Sequence, residues 1–420
     1  MEWSLAIVAL TLLGVAAVSG RLSGTPVTAT IVFVAVGLLV GPEVLGEIDL
    51  ESSSGTVRAL AEATLALVLF CDASRIDLRR LRRDIGLPAR LLAIGLPLTI
   101  ALGALAAAVL LDRLGVEEAV VLAIVLAPTD AALGQAVVTE PRIPGRIRQG
   151  LNVESGLNDG ICVPLLFAAV AVADVESHIS EGRSAAKLLL EEIGYGVLGG
   201  VAGGLAVAAI ITHFGRRNLI ADAWRQVIPG AGAALAYGTA AALGGSGFIA
   251  AFVAGMTFRV ALRRDPEQIN QLSEQVGNVL SGVTFVLFGA ILLGPALGEL
   301  SWELALYAVL SLTVVRMLPV AVAMLGSRAR PPTLGFLGWF GPRGLASIVF
   351  AVIVIEESNL PHEHLIVLAI YLTVGLSVFA HGVSAAPLAD RYARWYEQHP
   401  RHRAPAMESA PAAVTRTRGP

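Results

Sequence analysis

The chain has 420 residues, of which 55% are hydrophobic and only 15% charged, and its formal net charge is −3. So little charge cannot cover the surface of a soluble protein of this length. No run outside the short loops combines basic with aromatic residues, which leaves nucleic-acid binding without support.

The apolar residues come in runs of roughly 18 to 25, enough to cross about 30 Å of hydrocarbon. In chain order, thirteen spans are predicted near 3–19, 26–42, 57–74, 87–111, 116–139, 150–174, 190–213, 223–243, 245–262, 274–298, 302–326, 332–356 and 363–389. The first span follows Met1 and Glu2 with no basic segment ahead of it, which reads as a membrane helix and not a signal peptide. Only Gly244–Gly247 separates the eighth span from the ninth, so a tight turn is expected there. Cys71 and Cys162 fall inside apolar runs and read as small buried residues. The fold class is all-α, a membrane domain over 1–390. Residues 391–420, rich in Ala, Pro, Arg and Thr, read as a short disordered tail.

Basic residues orient the spans. With the N-terminus outside, 24 of the 30 Lys and Arg fall in cytoplasmic segments and four in outer ones. Arg316 and Arg343 lie inside spans. An odd number of crossings and a cytoplasmic C-terminus follow. No GxxxxGK[ST] stretch is present, so coupling to ATP has no support in the sequence. There is no H-E-x-x-H, and Ser155 has no histidine near it in sequence, so a membrane enzyme lacks its constellation.

An ionisable side chain at bilayer depth costs about 2.5–3.5 kcal/mol on insertion scales and marks a functional candidate. Seven remain after the loops are assigned: Glu62, Asp72, Asp130, Glu154, Asp159, Arg316 and Arg343. Asp159 and Arg316 lie near the middle of their spans, Asp130 just past the middle, and Asp72 at the cytoplasmic end of the third. Glu62 reads as a hydrogen-bonded or snorkelling residue. Asp72 also has Arg75 nearby for a simple ion pair.

Two spans carry breakers. The fifth reads Leu126-Ala127-Pro128-Thr129-Asp130, and the twelfth Gly341-Pro342-Arg343-Gly344. A mid-helix proline removes an amide donor and clashes with the preceding turn. Such breaks are tolerated only where protein or a watery cavity lines them, and they point to a transporter's binding site. They fall seven spans apart, so the two helices run in opposite directions, as an inverted repeat of spans 1–6 with 8–13 requires. The sixth span opens Asn152-Val153-Glu154-Ser155-Gly156-Leu157-Asn158-Asp159-Gly160. Glu154 and Asn158 share a face, whereas Asp159 lies about 140° round from Glu154. One face can hold a structural carboxylate while another presents Asp159 to a cavity. Carboxylate, hydroxyl and carbonyl oxygens suit small hard cations. Desolvation also favours the protonated carboxyl, so Asp159 can trade a proton for a cation.

These residues resemble the monovalent cation:proton antiporters, specifically the NhaP-like branch related to sodium/proton exchangers. Pro128-Thr129-Asp130 looks like the family's broken-helix motif, Glu154 to Gly160 its E-S-x-x-N-D-G, and Gly341-Pro342-Arg343-Gly344 its G-x-R-G. Phe70-Cys71-Asp72-Ala73 is a looser match to a third-helix carboxylate segment. The resemblance implies a homodimeric antiporter of Na+, Li+ or K+ against H+, with no resident cofactor. Asp159 would hold cation or proton in turn. Thr129 and Ser155 would supply oxygens, Asp130 would organise the crossing, and Asp72 would line a cytoplasmic funnel. Glu154 with Arg316 would form an internal ion pair, and Pro128 and Arg343 would shape the breaks. Asn158, where an electrogenic branch has a second Asp, implies one-for-one electroneutral exchange. Ala131-Ala132 and Gly156 depart from the family pattern, which bears on ion selectivity. A potassium-selective or electrogenic antiporter and a cation channel using the same carboxylates are the rival readings.

Overall fold

The computed structural model describes residues 2–22, 25–46, 54–76, 86–130, 133–134, 137, 140–173, 185–262, 267–357, 359–398 and 408. These residues are helical apart from short connections, and no strand occurs among them. The helices follow the predicted spans: α1 (Glu2–Leu22), α2 (Ala29–Val40), α3 (Ser54–Arg75), α4 (Gly86–Leu110), α5 (Val116–Val125), α6 (Gly145–Ala173) and α7 (Ala185–Arg216). They continue as α8 (Asp222–Ala242), α9 (Gly247–Leu262), α10 (267–298), α11 (Trp302–Ala323), α12 in two pieces (Pro331–Trp339 and Leu345–Glu357) and α13 (Glu363–Glu397). Among the described residues six helices are long and apolar enough to cross a membrane, with shorter apolar helices beside them. Six of the last twelve residues of the expected fifth span lie outside the described residues; Val137 there is helical and buried.

The packing repeats with a shift of seven. α2 packs on α10, and α9 packs on α3; α4 meets α5 as α11 meets α12; α5 meets α6 as α12 meets α13. A glycine marks the closest approach in the first pair of contacts. A Cβ on Gly37 of α2 would strike the Val286 carbonyl oxygen of α10, and one on Gly255 of α9 would strike the Phe70 carbonyl oxygen of α3. With no hydrophobic force between helices in lipid, such close backbone contact is what holds them. α7, the helix without a counterpart, uses the same device against α9: Gly196, Gly200 and Gly204 face the carbonyls of Ser246, Ala250 and Ala254. Gly244, at φ +79°, makes the expected tight turn between α8 and α9. Cys71 and Cys162 are free and buried.

Some local features were not legible in advance. α4 and α10 each contain a π-helical segment, Leu91–Gly95 and Phe288–Leu293. α11 is interrupted at Thr313, whose backbone sits at φ −108°, ψ −92°. α13 runs on to Glu397, past the predicted end at 389, so the first residues of the expected tail are helical. Further along, Glu408 is fully buried. Its Oε1 accepts from the Arg330 amide at 3.0 Å and from Thr333 Oγ1 at 2.8 Å. It thus caps the first piece of α12, where a negative charge meets the positive helix end. The rest of the expected tail lies outside the described residues.

Gly37→Val and Gly255→Val are each expected to destabilise the protein by about 1–3 kcal/mol, because backbone opposite the new side chain cannot step aside. Thermal melting in detergent checks this, and parental melting of both variants contradicts the close crossings.

Candidate functional site

α5 ends at Val125 and the chain leaves helix over Leu126–Asp130; α12 does the same over Phe340–Gly344. The two irregular stretches cross and bind each other. The Asp130 amide donates to the Pro342 carbonyl at 2.7 Å. Asp130 Oδ2 accepts from the Leu345 amide at 3.1 Å, at the start of the second piece of α12. Arg343, fully buried, sends Nη1 to the Pro128 carbonyl at 3.1 Å and also to that of Ala127. Ser347 Oγ donates to the Val125 carbonyl at 2.8 Å.

The charges match the helix ends. The carboxylate of Asp130 sits on exposed amides of a helix N-terminus, and the guanidinium of Arg343 on orphan carbonyls of a helix C-terminus. Sequence explains the closeness: Gly344 has no Cβ, and one would overlap the Asp130 carboxyl group.

α6 fastens the α5 break. Asn158 Nδ2 donates to Thr129 Oγ1 at 2.8 Å, and Asn158 Oδ1 accepts from the Thr129 amide at 3.3 Å. Ser155 Oγ donates to the Thr129 carbonyl. Thr129, Ser155 and Asn158 are all buried. Both hydroxyls expected as cation ligands are therefore also joints of the scaffold. Asp159 follows Asn158 and is 7% exposed. Its Oδ1 is buried and accepts no hydrogen bond among the described residues. A cavity of about 20 Å³, room for roughly one water, is lined by Thr129, Asp130, Ser155 and Pro342 with Leu151 and Phe340.

The remaining charges divide by role. Arg316 makes two hydrogen bonds to Glu154, at 2.7 and 2.9 Å, and both side chains are only 3% exposed. Both carboxylate oxygens are engaged by one planar guanidinium, which leaves Glu154 poorly placed to carry cargo. A Cβ on Gly341 would overlap this guanidinium, so the α12 break passes directly over the pair. Asp72 has a side chain 30% exposed and lies 3.5 Å from Arg75, whose guanidinium also meets Glu274 at 2.6 Å. It borders α6, since a Cβ on Gly156 would touch Asp72 Cβ at 3.5 Å. Glu62 lies apart and accepts from Tyr237 Oη at 3.0 Å. His362 and His364, an H-x-H pair in sequence, pair separately with Glu118 and Glu299. Among the described residues no His, Cys, Asp and Glu cluster suited to a resident metal occurs.

Two partners of the crossing escaped sequence reading, Ser347 and Ser377; the latter accepts from the Arg343 amide at 2.7 Å. Serine is common in membrane helices, so nothing but the spacing of Ser377 to His381 on α13 set it apart.

Residues 7–391 match the model of the sodium/hydrogen exchanger transmembrane family, and the chain belongs to that family. It is 26% identical over 383 residues to the K(+)/H(+) antiporter NhaP of Alkalimonas amylolytica, covering 90% of this chain and 63% of that one. It is likewise 26% identical over 386 residues to the K(+)/H(+) antiporter NhaP2 of Shewanella oneidensis, covering 88% of this chain and 63% of the relative. The chain thus spans just under two thirds of the length of these relatives. Its fold superposes on the sodium proton antiporter MjNhaP1 of Methanocaldococcus jannaschii with a TM-score of 0.77 at 19% identity, covering 94% of this chain and 99% of that one.

Breaking the Glu154–Arg316 pair leaves one buried charge alone, which costs about 3–5 kcal/mol. Glu154→Ala and Arg316→Ala are each expected to lower the melting temperature in detergent, and parental melting of both would contradict a structural role for the pair.

Proposed function

We propose that this protein exchanges a monovalent cation for a proton across a cell membrane, with Asp159 carrying each in turn. The observation that carries this reading is the buried Asp159 Oδ1 without a hydrogen-bonded partner among the described residues. An ionised carboxylate in that setting needs a cation, and a neutral one needs a proton. The neighbouring polar groups are already committed to structure: Asn158 and Ser155 to Thr129, Asp130 and Arg343 to the crossing, Glu154 to Arg316. Asp159 is the carboxylate left to take cargo at this depth, and Asn158 beside it adds no second charge. A one-for-one electroneutral cycle follows. Asp72, partly exposed near the end of α3, would line the approach from the cytoplasm.

The cargo is Na+, Li+ or K+. Potassium has specific support because the relatives named above are K(+)/H(+) antiporters, whereas the solved structure of like fold is of a sodium proton antiporter. The concentration of arginines in alternate segments supports an outside N-terminus and a cytoplasmic C-terminus. Operation as a homodimer rests on the family resemblance.

The test is exchange in proteoliposomes or everted vesicles, read as cation-induced recovery of a pH-sensitive dye. Parental protein is expected to respond to at least one of Na+, Li+ and K+. Asp159→Asn is expected to remain folded and to lose exchange entirely. Near-parental exchange by a well-folded Asp159→Asn protein would remove Asp159 from the cycle.

A further inference from the structure

α13 lies against both edges of the α12 break. Ser377 and His381 are four residues apart and share a face of that helix. Beyond the break, the Arg343 amide donates to Ser377 Oγ at 2.7 Å. Before it, His381 Nε2 lies 3.0 Å from the carbonyl oxygen of Trp339, the last residue of the first piece of α12. Between them, His381 Nδ1 lies 3.2 Å from Ser377 Oγ and 3.1 Å from the Ser377 carbonyl oxygen. The imidazole is 1% exposed and stacks on the Trp339 ring, with centroids 4.9 Å apart and planes at 28°.

A carbonyl oxygen only accepts, so the ring proton goes to a backbone carbonyl, that of Trp339 from Nε2 or that of Ser377 from Nδ1. Ser377 Oγ already receives the Arg343 N–H, and its own proton is free to go to Nδ1. With the proton on Nε2, an ordered chain runs from the Arg343 amide through Ser377 and His381 to the Trp339 carbonyl. The chain spans the irregular stretch Phe340–Gly344 and ties its two ends to one rigid helix. The α5 break is held likewise by Ser155 and Asn158 of α6. α6 and α13 are seven spans apart, so each broken helix is gripped by two polar side chains of the helix that follows it.

We propose that His381 is a positioning residue for exchange: with Ser377 it fixes the α12 break, and so places the Pro342 carbonyl and the Arg343 guanidinium that hold the α5 break around Thr129 and Asp130. This rests on the reading that cargo binds at the crossing. His381 itself touches neither cation nor transported proton.

The test measures exchange against cation concentration in proteoliposomes, alongside thermal melting. His381→Phe keeps the ring stack on Trp339 and loses both hydrogen bonds; His381→Gln restores a donor toward Trp339; Ser377→Ala cuts the chain at its other end. His381→Phe and Ser377→Ala are each expected to raise the apparent KM for the cation about fivefold, the scale of one lost positioning hydrogen bond. Maximal rate and melting should stay near parental, and His381→Gln should return KM close to the parental value. A folded His381→Phe protein with parental KM overturns the proposal, as does a KM shift that Gln fails to reverse. If His381→Phe is not recovered folded, parental KM in Ser377→Ala overturns it. Absence of exchange by the parental protein would instead overturn the reading of the site.

Discussion

Everything at the centre of this protein depends on two helices that stop halfway. A helix end inside a membrane leaves amides or carbonyls with no water to satisfy them. Here the Asp130 carboxylate accepts from the Leu345 amide at the start of the second piece of α12, and the Arg343 guanidinium meets carbonyls just past the end of α5. Each charge costs too much to bury alone, and each helix end costs too much to leave bare. Brought together by the Asp130 amide and the Pro342 carbonyl, they offset one another. The crossing is thus a frame in which opposite charges and helix ends meet, made of groups that would each be prohibitive on their own.

That frame decides which residue is free to work. Thr129 is pinned by Asn158 and Ser155, and Glu154 is saturated by Arg316. Asp159 is different because its Oδ1 is buried and takes no hydrogen bond among the described residues. The site resembles a lock in which all tumblers but one are fixed. In the proposed exchange, moving a cation or proton would change the charge at this one carboxylate while the surrounding frame keeps its bonds.

Much of this was legible in the sequence because breakers and buried charges are rare events with strong physical causes. Proline between Ala127 and Thr129, and glycine either side of Pro342-Arg343, mark the breaks; the seven-span interval between them gives the inverted repeat. The partners within the frame were harder. Which carbonyls Arg343 reaches depends on a crossing distance that Gly344 permits and no periodicity records. The interruption at Thr313 carries no proline or glycine at all; it adjoins the turn that presents Arg316. Glu408 sits in a stretch whose composition reads as unfolded, yet a single carboxylate finds the start of α12 because a capped helix end is a local and specific attraction.

The central claim is that one carboxylate carries either one cation or one proton, so each half of the cycle moves the same charge. Moving one net charge through the potential is worth roughly 2.3 kcal/mol per 100 mV, too much to escape notice. The most direct measurement is cation-driven proton movement in proteoliposomes held at set potentials by gradients of a permeant anion, with potassium equal on both sides. One-for-one exchange gives a final pH gradient that does not change with voltage. A gradient that shifts systematically with the imposed potential would show a second titrating group in the cycle and contradict a site built on Asp159 alone.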